Sequence, residues 1–412
     1  MKHFNVHFQQ HGGMLCLLMV ILTLPSQSLR AQDYWDEVAQ MPFSRFLLSG
    51  EKVGDLIYLM GGIIPSSATT TQVLAFNPAD SSFQPRKPLP KPLAAMATAV
   101  YGENIYLFGG IPWSQGPPSQ KCYKYVSSLD QWIELPDLPT IPRGYAIAEV
   151  LNDKIYVIGG LSESSVTTYN LVEVFDPVVG KWVSESVEQM PTPRGYMGSA
   201  VLNGKIYVFG GGTPAPAYAG LSVVEYFDGV NWATAEPMPT QRYGAAAGVL
   251  DNTVYVSGGV LTGWSDINVT EGYSETTGWQ TFSPLPVDMH GHAVVSFGDV
   301  LYAFGGVAGP LMYDDVLVYH PAASSTDNPL IGTGLKVFPN PASEILSFLF
   351  ENAASGQLTF FRPDGTTVFT ETLSGEQQHE FSVAGLPAGV YFWKWVGKKD
   401  ESIASGKVLV NR

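Results

Sequence analysis

Six pairs of consecutive glycines recur along this 412-residue chain, at Gly61-Gly62, Gly109-Gly110, Gly159-Gly160, Gly210-Gly211, Gly258-Gly259 and Gly305-Gly306, with spacings of 48, 50, 51, 48 and 47 residues. An apolar run precedes each pair and carries Tyr at the same place: LIYLMGG, NIYLFGG, KIYVIGG, KIYVFGG, TVYVSGG and VLYAFGG. A variable loop follows, then a second β-rich run such as NLVEVFDP, then a turn and a run with an aromatic at Phe83, Trp132, Trp182, Trp232 or Trp279. Four short strands per unit are too few to bury both faces alone, so neighbouring units must stack around an axis. The paired glycines end the second strand where the backbone turns sharply and packs closely. The tryptophans are large enough to fill the space between units.

A period near fifty with this signature resembles the kelch repeat, and six copies resemble a six-bladed β-propeller. The sixth unit lacks its last strand: after DVLVYHP, residues 315–321, the chain passes straight into AASSTDNPLIGTG. The missing strand is at the other end. In YWDEVAQMPFSR, Trp35 stands seven residues before Pro42 and ten before Arg45, as Trp132 stands seven before Pro139 and Trp232 ten before Arg242. Residues 33–41 are therefore expected to form the outer strand of the last blade, which leaves no large unpaired edge between first and last blades. The propeller is assigned to residues 32–322.

Composition agrees with an all-β protein of more than one folding unit: 45% hydrophobic, 14% charged, with 43 Gly and 30 Pro for turns. The net charge of −15 excludes an electrostatic nucleic-acid binder, which needs a basic face. Lys2, the apolar run Met14 to Leu24 and SLRAQ read as a secretory signal over residues 1–31, cleaved after Ala31. Eleven apolar residues are too few for a membrane-spanning helix, and no other stretch approaches that length. Cleavage would remove two basic residues and no acid, leaving −17, a charge suited to neutral or cationic partners. Only Cys122 would remain, so no internal disulfide is expected.

Two residue sets are candidates for chemistry. In kelch propellers the first strand of each blade lines the central channel, and the loops joining strands 4 to 1 and 2 to 3 share one face. The first set stands sixteen residues before the glycine pairs: Arg45, Arg143, Arg194 and Arg242, with Leu93 and Met289 in the second and sixth units. The second set follows the glycine pairs: Trp113, Tyr169, Tyr218, Trp264 and Tyr313. One reading is a pocket where guanidinium groups meet a carboxylate or phosphate while aromatic faces stack on a sugar or side chain. The other gives the arginines to the repeat itself, bonded to loop carbonyls or to a blade acid. The aromatics recur at no fixed position, which suits recognition, although isolated surface aromatics are common. His290 and His292, two apart, and His320 have no Cys or carboxylate cluster at ligand spacing, so no metal is expected. Some kelch propellers are copper radical oxidases with a Tyr–Cys cross-link, but Cys122 falls in a third strand, away from the channel. Others are sialic-acid mutarotases; the repeat number and the arginines fit, but no catalytic residue can be matched.

From Asn328 the repeat is gone. FPNPASEILSFLF, GQLTFFRPDGTTVFTETL, HEFSVAGLPAGVYFWKWVG and GKVLVNR read as a small antiparallel sandwich of about seven short strands. The order Phe338-Pro339-Asn340-Pro341, Asp364-Gly365, Leu386-Pro387-Ala388-Gly389-Val390-Tyr391 and Lys407-Val408-Leu409-Val410 resembles the C-terminal sorting domain of type IX secretion substrates, with Phe338 where Tyr is commoner. The resemblance covers residues 335–412, leaves 323–334 as a linker, and implies the type IX machinery as partner. It also implies secretion from, or display on, the outer surface of a Gram-negative bacterium. The expected whole is a secreted, monomeric kelch propeller without cofactor that binds a glycan or protein ligand. The alternatives are an enzyme on an acidic sugar and a structural surface or matrix component.

Overall fold

The computed structural model describes residues 33–113, 116–162, 167–184, 187–212, 219–321, 335–338, 342–362, 366–397 and 403–410. The signal segment, the linker, Tyr218, Pro339 to Pro341 and Asp364-Gly365 lie outside them. Six four-stranded antiparallel sheets follow one another in the chain. Blade one is Ser49–Val53, Leu56–Met60, Val73–Asn77 and Ser82–Arg86, and the first strands of blades two to five begin at Ala97, Ile147, Gly198 and Ala246. The sixth sheet holds Ala293–Phe297, Val300–Phe304, Asp315–His320 and, as its outer strand, Tyr34–Gln40. Trp35 pairs with Tyr319, as expected from the spacing of Trp35 and Pro42.

The paired glycines work as pins between blades. A Cβ on Gly61, at φ +59°, would stand 2.3 Å from the carbonyl oxygen of Leu93, and one on Gly109, at φ +63°, 2.4 Å from that of Arg143. The second glycine donates to the same carbonyl: Gly62 N to Leu93 O at 2.9 Å, Gly110 to Arg143 at 3.0 Å, and so around the ring to Gly306 and Arg45 at 2.9 Å. Only glycine combines that φ with that approach. On the outside, each outer-strand tryptophan donates its indole N–H to a carbonyl of the preceding blade: Trp35 to Ser283, Trp132 to Lys87, Trp182 to Pro136, Trp232 to Glu188 and Trp279 to Glu236, all at 2.9–3.1 Å. Between blades the second and third strands bury apolar side chains, such as Ile57, Leu59, Phe76 and Phe304 in one junction.

The C-terminal unit is one hydrogen-bonded sheet of five described strands, Leu335–Phe338, Ile345–Phe361, Thr367–Ser382, Gly389–Gly397 and Ile403–Val410. The count is below the seven expected because Ile345–Phe361 and Thr367–Ser382 run on past the break in pairing between Leu349 and Ala354. A shared core of Leu346, Phe348, Phe350, Leu358, Phe360, Tyr391, Trp393 and Trp395 fills the space inside. Tyr391 of the LPxGxY segment donates its hydroxyl to Pro387 O at 2.9 Å, which fixes the turn before its strand.

Candidate functional site

All four arginines are sealed inside the propeller, none more than 1% exposed. Arg143 Nη1 lies 2.7 Å from Glu173 Oε2, Arg242 Nη2 lies 2.7 Å from Glu271 Oε2, and Arg194 pairs with Glu225 at 2.5 Å. Each glutamate sits second in the third strand of the same blade. Arg143 also donates Nε to Gly159 O at 2.9 Å, and Arg194 to Gly210 O at 2.8 Å, so the guanidinium ties the end of strand two to strand three. Burial lowers the pKa of Arg194 and Arg242, and their glutamates oppose the shift. Arg45 has no such acid. Leu74 holds the glutamate position, and Arg45 bonds Gly61 O at 3.1 Å and lies over the Phe43 ring at 5.1 Å. Burial alone brings its pKa down to about 10. The expected guanidinium-lined mouth is not formed, because each group turns into its own blade.

Two residues past each arginine position the chain enters the left-handed region, at Leu47, Ala95, Tyr145, Tyr196, Gly244 and Gly291, with φ between 48° and 69°. Their peptides form a closed ring around the axis. Ala95 N donates to Leu47 O, Tyr145 to Ala95, Tyr196 to Tyr145, Gly244 to Tyr196, Gly291 to Gly244 and Leu47 to Gly291, at 2.7–3.0 Å. Above the ring stands a run of aromatic side chains. Trp113 meets Phe46 edge-on at 6.5 Å and Phe46 meets His290 at 6.2 Å. His290 meets Tyr196 at 6.4 Å, Tyr196 meets Tyr145 at 4.5 Å and Tyr243 at 5.8 Å, and Tyr243 meets Trp264 at 6.1 Å. Trp113 and Trp264 are 44% and 60% exposed, come from blades two and five on opposite sides of the ring, and both have positive φ, an uncommon conformation for a bulky residue.

Trp264 ends the turn of a small ribbon pairing Val260–Leu261 with Ser265–Asp266. That ribbon places Asp266 Oδ1 2.5 Å from His290 Nδ1, while Oδ2 accepts from Gly309 N at 2.8 Å. Burial lowers the His290 pKa and Asp266 pulls the other way. The ring is thus neutral near pH 7, with Nδ1 donating to the carboxylate. Burial raises the Tyr196 phenol well above its ordinary value, with Tyr145, Tyr243 and Asp266 adding to it.

The structure brings Trp113 and Trp264 into this bowl and leaves Tyr169 and Tyr313 outside its ring contacts. Both are half-buried, and their carbonyls accept from Arg194 N and Arg45 N. The sequence reading missed Phe46, Tyr145, Tyr196, Tyr243 and Asp266; the signal was an aromatic one or two places after Arg, in RF, RGY, RGY and RY. His292 stands between blades, 5% exposed, with Nε2 3.1 Å from Ser257 Oγ, and His320 stacks on Tyr34 at 4.7 Å. Among the described residues no group of three or more His, Cys, Asp or Glu is placed to hold a metal. Burial pushes the Cys122 thiol up to about 12.

Behind the ring lies a cavity of about 490 Å³ lined by all six first strands, with Ala and Val the commonest residues. Its acids are Glu51 and Glu149, and no Lys or Arg lines it. Glu51 accepts from Thr98 Oγ1 and Glu149 from Ser199 Oγ, each at 2.7 Å across a blade junction. Burial pushes both carboxyls up to about 7; the hydroxyl bonds oppose this, and Glu149 adds to the shift at Glu51.

Comparison with known proteins agrees with this architecture. Residues 49–259 match the KLHDC2/KLHL20/DRC7 Kelch-repeats domain and residues 336–411 the Secretion system C-terminal sorting domain. The chain is similar to the Kelch-like protein terF of Aspergillus terreus, 28% identical over 253 residues, 55% of this chain and 53% of that protein. It is 26% identical over 193 residues to Beta-scruin of Limulus polyphemus, 44% of this chain and 20% of that one. The chain thus spans about half or less of the length of these curated relatives. The solved structure titled Structure of YjhT superposes with a TM-score of 0.61 at 16% identity, covering 70% of this chain and 98% of that one, a likeness of fold. Among the described residues no helix is long and apolar enough to cross a membrane. With its six pinned blades and its C-terminal sheet, the chain belongs to the kelch-repeat family and carries the sorting domain of a type IX secretion substrate.

Proposed function

We propose that this secreted propeller is a ligand-binding module that takes a glycan or a protein at the aromatic bowl over the hydrogen-bonded ring. The supporting observation is the placement of Trp113 and Trp264, exposed and held at positive φ on opposite sides of Phe46, His290, Tyr196 and Tyr243. Such residues present large apolar faces to solvent at a cost in backbone conformation, a pattern that recognition sites sustain. An enzyme acting on an acidic sugar would need guanidinium groups within reach of its substrate, and the four arginines are sealed in the blades. A purely structural surface component gives no reason for the two tryptophans. The test is retention of the full chain on a glycan array and on immobilised envelope proteins, compared with Trp113→Ala/Trp264→Ala. Loss of retention with unchanged thermal stability is expected; equal retention by both proteins would refute the proposal.

A further inference from the structure

We infer that His290 is the polar anchor of the bowl: its Nε2 accepts a hydrogen bond from a hydroxyl of a neutral glycan, and Asp266 positions it to do so. This rests on the reading of the bowl as the ligand site. Asp266 Oδ1 lies 2.5 Å from Nδ1, so Nε2 is the nitrogen left for a ligand. Among the described residues Nε2 has no hydrogen-bond partner, and it is not sealed from solvent as the unpaired Nδ1 of His292 is. The imidazole keeps 14% exposure beside Phe46 and Tyr196, whose rings it meets edge-on at 6.2 and 6.4 Å. With Nδ1–H given to the carboxylate and the ring neutral, Nε2 carries a bare lone pair that can accept but not donate.

The direction of this polarity is fixed one bond further out. Gly309 N donates to Asp266 Oδ2 at 2.8 Å, so the carboxylate accepts on both sides. In Asp266→Asn the amide oxygen has to stay with Gly309 N, which turns the NH2 group toward His290 Nδ1. Nδ1 must then accept and the proton moves to Nε2. The bowl would present a donor where the wild type presents an acceptor.

The surroundings favour a sugar over a peptide. An extended peptide is held by free backbone groups, and the floor of the bowl has spent its own. The six peptides of the ring bond one another, and the residue after each arginine position pairs both ways with the one after the glycine pair, as His290 does with Val307 at 2.9 and 3.0 Å. What remains are side chains: the Nε2 acceptor and the exposed faces of Trp113 and Trp264. A sugar ring matches them with a hydroxyl donor and an apolar C–H face. A carboxylate or sulfate brings no proton for Nε2.

The experiment measures retention of the full chain on immobilised neutral oligosaccharides and on the same panel permethylated, which removes every hydroxyl donor. The wild type is expected to be retained on the first and not on the second. His290→Asn can still donate to Asp266 but does not reach the Nε2 position, and should bind the native panel about tenfold more weakly. Asp266→Asn should lose as much, with nitrogen-15 spectra of the histidine-labelled chain showing the His290 proton moved from Nδ1 to Nε2. Equal retention by wild type and His290→Asn, equal retention on the permethylated panel, or a wild-type proton on Nε2 overturns the inference. Undiminished retention by Asp266→Asn, or a loss without the proton shift, overturns the positioning role of Asp266. Retention only on acidic oligosaccharides or envelope proteins overturns the neutral-glycan assignment. If retention depends on Trp113 and Trp264 but not on His290, this inference fails and the binding reading stands. If it depends on none of them, both fail.

Discussion

Arg242 Nη2 and Glu271 Oε2 lie 2.7 Å apart with both side chains sealed from solvent, at 0% and 3% exposure. Thr240 Oγ1 occupies the other carboxylate oxygen at 2.6 Å. Blade four repeats the trio with Thr192, Glu225 and Arg194, and in blade three Thr140 N takes the place of the hydroxyl beside Glu173 and Arg143. An arginine present in four of the six repeats has in three of them a glutamate partner that recurs with it. The arginines of blades three, four and five close their blades where strand two turns away.

Removing one member of such a pair strands a buried charge. Glu271→Gln and Arg242→Met should each cost about 3–5 kcal/mol in chemical denaturation, whereas replacing the pair by Met and Leu should cost far less. Blades two and six already use Leu93 and Met289 at the arginine position. In blade one Leu74 holds the position of the acid, so Arg45→Met should change stability by less than about 1 kcal/mol or raise it. A loss at Arg45 as large as that at Arg242 would contradict the distinction between the two.

The channel carboxyls give a signed dependence on pH. Glu51 and Glu149 each have a folded-state pKa of about 7 against an ordinary 4.5, raised mainly by burial. Their contribution is fully present below about pH 4.5 and is lost as the pH rises through about 7. His292, lowered to about 3, acts in the opposite sense below pH 6.5, so the comparison is made against Glu51→Gln/Glu149→Gln. The wild type should lose about 1–3 kcal/mol relative to that variant between pH 5 and 8, a figure reduced for water held in a cavity of this size. Parallel profiles would show that the pair ionises as freely as in the unfolded chain.

Closure of the ring rests on the first described strand. The Asp33 carboxylate accepts from Tyr319 OH at 2.8 Å and from Ser283 N, and Trp35 donates to Ser283 O at 3.1 Å. Trp35→Ala should cost about 3 kcal/mol and speed hydrogen exchange first in Asp315–His320, its pairing partner. Uniform acceleration over all six blades would mean that the ring opens elsewhere.

For the sorting domain, deletion of residues 335–412 should leave the propeller folded and retained in the periplasm, as read by fractionation. Normal display on the surface would refute the export assignment.

The repeat, the closing strand and the sorting segment were legible because glycine, tryptophan and proline positions are fixed by backbone geometry. The arginine partners were harder to read. Glu173, Glu225 and Glu271 follow their arginines by 30, 31 and 29 residues, because the loop after the glycine pair varies in length. The central ring was hidden by its residue types: Gly244 and Gly291 hint at positive φ, but Leu47, Ala95, Tyr145 and Tyr196 do not. Those four are held left-handed by their neighbours' carbonyls, a tertiary cause that no local pattern carries. The bowl was half legible, since Trp113 and Trp264 stand out in variable loops while Phe46, Tyr145 and Tyr196 look like ordinary strand-entry residues.

The central division, aromatics for recognition and arginines for architecture, is tested most directly by measuring retention and thermal midpoint on two proteins in parallel. One is Trp113→Ala/Trp264→Ala and the other is Arg242→Met. The expected result is that the first loses ligand retention at an unchanged midpoint, while the second keeps retention and melts lower. The reverse pattern, retention lost with Arg242 and kept without the tryptophans, would contradict it.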